Sequence, residues 1–350
     1  MIIDLEAFIE RERSFWDELE SKVKSLERDP ERRLSFDELQ RFHYLYERAA
    51  SALGKLRTYS LQPDTVEYLE RLVSAVYAEV QDGNRLTRHF SLKRWFFVDW
   101  PASVLRHGKA LVLSFLVMLI GCFFGAVVLW LDPGAKQDIF PFEHLMGDPS
   151  ERVAREEGRL EQQGSNYSSV FSAQLMTHNT RVSILALSLG MTWGIGTIVM
   201  MFYNGVILGA VAFDYIVSGE LIFLLGWLLP HGIVEIPAIL IAGQGGFVLA
   251  RGIIGWKSPY TLGVRLRGLM PDLVTLISGV ALMLIWAGLI EAFLSQIHEP
   301  QIPYAAKILF GCIEGAALFF FFHHFGKRAL ADEAKEGEAR ARAPHSRRLG

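Results

Sequence analysis

Residues 110–131 read ALVLSFLVMLIGCFFGAVVLWL, 22 positions from Ala110 to Leu131 without a charged side chain. At about 1.5 Å of rise per residue, a helix of that length crosses a hydrocarbon core of roughly 30 Å. The stretch is read as a transmembrane span. The next uncharged run, Val182 to Phe213, has 32 residues; as one helix it would measure about 48 Å, too long for a single crossing. Tyr203-Asn204-Gly205 is the expected break, because Asn-Gly tolerates the left-handed backbone that ends a helix. Further spans are expected over Val206–Leu229, Gly232–Ala250, Leu273–Leu294 and Tyr304–Phe325, six in all.

The composition of the 350-residue chain agrees. It is 51% hydrophobic and 21% charged, with a mean hydropathy of +0.24, too apolar for an ordinary soluble domain. With 35 Lys and Arg against 38 Asp and Glu, it lacks the basic excess of a nucleic-acid binder. Cys122 and Cys312 both lie in apolar runs, which suggests neither a disulfide framework nor a cysteine zinc site. The acidic, amphipathic N-terminus does not read as a cleaved signal peptide, so the first span is expected to direct insertion.

Lys and Arg set the orientation. With both termini inside, the inner side carries 29 and the outer side 6, the bias of a protein with cytoplasmic N- and C-termini in a bacterial inner membrane. Three regions follow. Residues 1–105, with 16 bases and 19 acids, are expected to be a soluble cytoplasmic bundle ending in an aromatic interfacial segment. Residues 106–326 are the transmembrane domain, with an outer loop over 132–180 in which Ser150–Gln163 reads as a surface helix. Residues 327–350 are a basic tail, helical at first and then disordered.

In the soluble part, Leu5, Phe8, Phe15, Leu19, Val23 and Leu26 recur at helical steps, the pattern of one buried face. Ser35-Phe36-Asp37-Glu38 is a capping box opening a second helix, with the stripe Leu39, Phe42, Tyr46, Ala49, Leu53 and Leu56. Pro63-Asp64 starts a third, with Val66, Leu69, Val73, Val76 and Val80. The expectation is an antiparallel three-helix bundle. Trp95-Phe96-Phe97-Val98-Asp99-Trp100-Pro101, flanked by bases, is expected to lie along the inner membrane surface. The fold class is thus all-α: a polytopic membrane protein of about six transmembrane helices with an N-terminal helical bundle.

Charges at membrane depth are costly and mark candidate sites: Asp214, Glu220, Glu235, Glu291 and Glu314, with the outer interface as an alternative place for Glu291. The alternative for each is polar glue between helices. His231-Gly232-Ile233-Val234-Glu235 sets an imidazole and a carboxylate four apart, on one helix face. No third ligand of matching spacing accompanies them, so no metal is expected, and no cofactor or catalytic motif is written in the chain. Glycines four apart, at 121/125, 190/194, 205/209 and 311/315, and the run Gly243-Gln244-Gly245-Gly246 suggest close helix packing.

Several stretches together resemble the stage II sporulation protein M family of integral membrane proteins. They are Phe8–Leu19, Leu45-Tyr46 with Ala49-Ala50-Ser51, Tyr68–Val73, His178-Asn179-Thr180-Arg181-Val182, Gly194-Ile195-Gly196-Thr197, Asn204-Gly205 through Leu208-Gly209-Ala210, and His231–Glu235. Where the family pattern has paired asparagines, this chain has His178-Asn179. The resemblance covers nearly all of the chain except the tail. It implies a six-span envelope protein and, in spore formers, a membrane scaffold that joins two peptidoglycan-cleaving partners without catalysis of its own. Asn179, Arg181, Asn204, Gly205 and Gly232 join the candidate residues on that basis.

The expected function is a non-enzymatic scaffold of a bacterial cell-envelope complex. Its partners would be the lipid bilayer, envelope or cytoplasmic proteins and a second copy of the chain, with no nucleic acid. The alternative is a small permease or channel component using the intramembrane carboxylates. The orientation is testable: a cysteine near Ser165 should react with an impermeant thiol reagent in intact cells, and one near Gly263 should not; the reverse labelling overturns it.

Overall fold

A computed structural model describes residues 5–28, 35–59, 63–85, 91–140, 145–158, 167–295, 297 and 299–342. The middle of the expected outer loop, 159–166, and the tail end, 343–350, lie outside the described residues. Two units pack separately, one comprising residues Met1–Phe90 with Gly255–Gly268, the other Ser91–Ile254 with Leu269–Gly350.

The first unit is built on α1 (Leu5–Arg28), α2 (Phe36–Tyr59) and α3 (Pro63–Arg85). Helix α2 starts with its capping box made: the Ser35 amide donates to Glu38 Oε2 at 2.9 Å and the Glu38 amide to Ser35 Oγ at 3.3 Å, so two end amides that lack helical partners are satisfied reciprocally. Leu19, Val23, Leu26, Phe42, Ala49, Leu56, Leu69 and Val76 are buried, joined by Trp16, Leu45 and Ala52. Leu39, expected in the core, is exposed; the buried stripe of α2 begins a turn later, at Phe42. Each helix pair also carries a polar tie. Arg48 grips Glu12 through two hydrogen bonds of 2.6 and 2.8 Å while its guanidinium lies 3.8 Å from the centre of the Phe15 ring. Arg57 pairs with Glu70, and Tyr68 donates to Glu20.

The second unit opens with α4 (Leu92–Arg94), a π-turn at Trp95–Asp99 and α5 (Trp100–Arg106). Then come α6 (Gly108–Leu131), short α7 (Lys136–Ile139) and α8 (Pro149–Glu156), α9 (Tyr167–Ser188), α10 (Ile195–Val217), α11 (Leu221–Ile254), α12 (Leu262–Ile290) and α13 (Tyr304–Arg342). Among the described residues, five stretches, Gly108–Leu131, Ile195–Val217, Leu221–Ile254, Leu262–Ser295 and Tyr304–Glu336, are long and apolar enough to cross a membrane. Helix α9, more polar, packs with them.

Three boundaries differ from expectation. The long apolar run breaks at Leu189–Gly194, where Trp193 and Gly194 take φ of 55° and 86°; Gly194 adopts that left-handed backbone without a Cβ penalty. Helix α10 continues through Tyr203-Asn204-Gly205. It ends at Val217, so Val206–Leu229 is no span, and α11 runs unbroken where Gly232–Ala250 was to be a separate one.

Asn204-Gly205 serves contact instead of turning. A Cβ on Gly205 would run into the Met118 carbonyl oxygen, one on Gly209 into that of Cys122, and one on Gly125 into that of Val206. Positions 118 and 122 of α6 thus face 205 and 209 of α10, so the two helices run parallel with backbones in contact, the use that small residues have in membrane bundles.

The aromatic segment packs into the bundle at its C-terminal end, while Phe97 stays exposed. Trp100 and Pro101 are buried, the indole filling the space beside Gly279 and meeting Phe322 edge-on at 5.3 Å between centroids. Next to it, Asp272 of α12 accepts from Ser103 at 3.0 Å and from Arg106 at 2.7 Å, and lies 2.8 Å from His107 Nε2. The helix expected over Ser150–Gln163 is Pro149–Glu156, capped by Asp148. It is no free surface helix: Arg152 is buried, donates to Tyr215 Oη at 2.7 Å and lies 4.3 Å from the Trp227 ring centre.

Residues 1–90 expressed alone should be helical by circular dichroism and melt cooperatively. Glu18 and Glu20 are held below the ordinary carboxylate value of 4.5 by hydrogen bonds from Arg41 and Lys24. The unfolded chain then binds more protons, so stability is complete above that value and lost as pH falls through the depressed ones. The melting midpoint should hold from pH 7 to about 5 and drop below it; a midpoint rising on acidification, or a featureless spectrum, contradicts the assignment.

Candidate functional site: a buried polar ladder

Helix α11 is buried over most of its surface and carries Pro230 and Pro237 inside it. A proline cannot donate to the carbonyl four residues back, so the helix is loosened on both sides of the segment that holds His231 and Glu235. One turn separates these two, on the same face. Opposite them, α12 ends in a π-turn at Glu291–Ser295. Such turns insert an extra residue and re-aim side chains, often at functional sites.

Two rungs join the elements. His231 Nδ1 lies 2.9 Å from Ser295 Oγ, and the turn packs against α11. Consecutive spans run antiparallel, so 235, four residues after 231, is set beside 291, four residues before 295. Helix α9 closes one side, where Asn179 Nδ2 donates to Glu235 Oε1. Helix α13 closes another, where Lys307 Nζ donates to the carbonyls of Ser295 at 3.0 Å and Ile297 at 2.9 Å. Relative exposures are 0% for His231 and Ser295, 1% for Lys307 and 2% for Glu291, with 7% for Glu235 and 8% for Asn179. Trp227 stands against His231 at 6.0 Å between ring centroids.

Chemically, the cluster holds two carboxyls, an ammonium and an imidazole away from water, where each unpaired charge is costly. Two atoms have no hydrogen-bond partner: Glu291 Oε1 and His231 Nε2. Such orphans are few in native interiors. Among the described residues, no group of three or more His, Cys, Asp or Glu is placed to hold a metal ion.

The other candidates lie elsewhere. Asp214 pairs with Lys136 of α7 at 2.6 Å. Glu220 sits in the turn before α11, its amide donating to the Tyr215 carbonyl. Glu314 accepts from Trp286 Nε1. Asn204 bonds back to the Met200 carbonyl at 3.0 Å and Gly205 is spent on the α6 contact. Arg181 is exposed, and a Cβ on Gly232 would meet side chains of its own helix, Leu228 and Ile236. Glu291, one of the charges expected within or near a span, is buried; Lys307 and Ser295 are not among the candidates read from the sequence. The matched four-residue spacing of 231/235 and 291/295 on consecutive apolar helices is a signal for Ser295; no spacing singles out Lys307.

Glu235→Gln should leave protein abundance near wild type, since the amide oxygen still accepts from Asn179. Glu235→Leu should lower abundance, at a cost of about 1–2 kcal/mol for the lost hydrogen bond between membrane helices. Membrane immunoblots and thermal unfolding in detergent check this; equal loss in both variants contradicts the assignment.

A family model described as Stage II sporulation protein M matches residues 114–296, more than half of the chain and the whole ladder except Lys307. A second model, a domain of unknown function, matches residues 6–82. An uncharacterized protein of Methanocaldococcus jannaschii is 34% identical over 74 residues, 21% of this chain and 42% of that protein, so the match spans less than half of the relative's length. No solved structure matches. With five helices apt to cross a membrane and a family match across the bundle, the chain is a multi-pass membrane protein of the stage II sporulation protein M family.

Proposed function

We propose that the protein is a non-enzymatic scaffold of a cell-envelope complex in the bacterial inner membrane, with both termini cytoplasmic. One observation carries this reading: a membrane bundle locked backbone to backbone at Gly125, Gly205 and Gly209 belongs to the same chain as a separately packed helical unit rich in surface charge. The locked bundle is suited to holding a position, and the charged unit to presenting a surface to a partner. The segment from Asp132 to Thr180 offers a second surface, and part of it is pinned to the bundle through Arg152. The resemblance to a family whose sporulation members join peptidoglycan-cleaving partners supports the same reading.

The native complex, isolated in mild detergent after in-cell crosslinking, tests it. The full chain should carry a stoichiometric partner, and a chain lacking residues 1–90 should insert in the membrane yet lose the inner one. Recovery of the chain alone, or the same partners with and without residues 1–90, contradicts the scaffold.

A further inference from the structure

The ladder has a charge imbalance that the scaffold reading does not use. Glu235 and Glu291 count as two formal negative charges, Lys307 as one positive, and the imidazole of His231 as none. One negative charge is therefore left in an interior where an uncompensated charge is costly. The donors at hand do not compensate it. Asn179 Nδ2 reaches Glu235 alone, and Lys307 Nζ is engaged by the carbonyls of Ser295 and Ile297. Glu291 Oε1, on a residue 2% exposed, has no hydrogen-bond partner, and its residue stands four positions before Ser295 as Glu235 stands four after His231, with His231 and Ser295 in contact.

The packed elements present these charged and titratable groups: His231 and Glu235 from α11, Glu291 from the π-turn, Lys307 from α13, and the half-buried His178 next to Asn179 on α9. Lys307 Nζ bonds the carbonyl of Ser295, the residue that His231 touches, which places its charge on the other rung from the two carboxyls. A water molecule could bond to the orphan oxygen but would leave the charge unbalanced. One unit of positive charge meets both needs.

We propose that Glu235 and Glu291 form a binding site for one monovalent cation, held either as a proton shared between the two carboxyls or as a sodium-sized ion bridging their oxygens. Two facing carboxyls that share one proton are a known arrangement where both cannot ionise, and such a pair titrates as a unit. The ion neutralises the ladder without any new contact from the rest of the chain.

The test uses the full chain, wild type and Glu291→Gln, in detergent or lipid discs. One arm varies pH with choline as the sole added cation; the other replaces choline by sodium at fixed pH. Each arm records infrared difference spectra in the carboxyl region and the thermal midpoint. An ion that binds only the folded state stabilises it by mass action, so in one arm the wild-type midpoint should climb by a constant step for each tenfold rise in that ion above its dissociation constant. A carboxyl band should change in the same arm. In Glu291→Gln, whose amide needs no counter-charge, the band change and the stabilising climb should vanish, leaving in the pH arm only the acid loss carried by Glu18 and Glu20, while the midpoint stays at or above the unsaturated wild-type value.

A response to pH identifies the proton, and one to sodium identifies the metal ion. Wild type that responds in neither arm, or Glu291→Gln that responds as wild type does, overturns the proposal. If Glu291→Gln does not accumulate, Glu235→Gln, which keeps the oxygen that Asn179 uses, carries the same test with the same two outcomes.

Discussion

The backbone contact between α6 and α10 is the constraint from which the rest of the membrane unit follows. In lipid, helices gain little by hiding apolar side chains from one another, so association rests on close packing and polar contacts. Gly125, Gly205 and Gly209 remove the side chains that would hold the two backbones apart. Once α6 and α10 run parallel in contact, the segments between them must return along the bundle, and α9 does so before the tight turn at Trp193-Gly194. Helix α11 then passes beside α6, α9 and α10 at once, which is why it is buried over most of its length.

That burial is what makes the polar ladder consequential. A carboxyl on the lipid-facing side of α12 could reach toward headgroups, but Glu291 sits in a π-turn against the most enclosed helix of the unit. His231, Ser295 and Lys307 tie the end of α12 to α11 and α13 through hydrogen bonds. The ladder therefore serves as a clamp as well as a charged interior. At the other end of α12, Asp272 with Ser103, Arg106 and His107 makes a second clamp to α5 and the start of α6. Between the two, Trp286 of α12 donates to Glu314 of α13.

Much of this was legible in the sequence. The uncharged run at Ala110–Leu131 decides the class, and the capping box at Ser35 and Glu38 places the start of α2 to the residue. Helix boundaries inside the apolar run were not legible, because residues 182–213 contain no charge to mark a turn; of the two left-handed residues, Trp193 is a type that seldom adopts that backbone and Gly194 reads equally as a packing glycine. Asn204-Gly205 misled for a physical reason: the glycine that permits a turn also permits a close helix contact, and only the partner helix decides which. His231, Glu235 and Asn179 could be singled out by their cost at membrane depth. Glu291 and Lys307 could not be separated from interface charges without knowing that the π-turn faces inward.

The parallel, close-packed α6 and α10 are the central claim, and site-directed crosslinking tests them most directly. Phe124 of α6 and Phe202 of α10 lie with ring centroids 5.4 Å apart. Val217, fifteen residues further along α10, is about 22 Å away along the helix axis. With Cys122 and Cys312 replaced by serine, a short bifunctional thiol reagent should join Phe124→Cys to Phe202→Cys within one chain and should not join Phe124→Cys to Val217→Cys. The opposite pattern, or crosslinking of neither pair, contradicts the account.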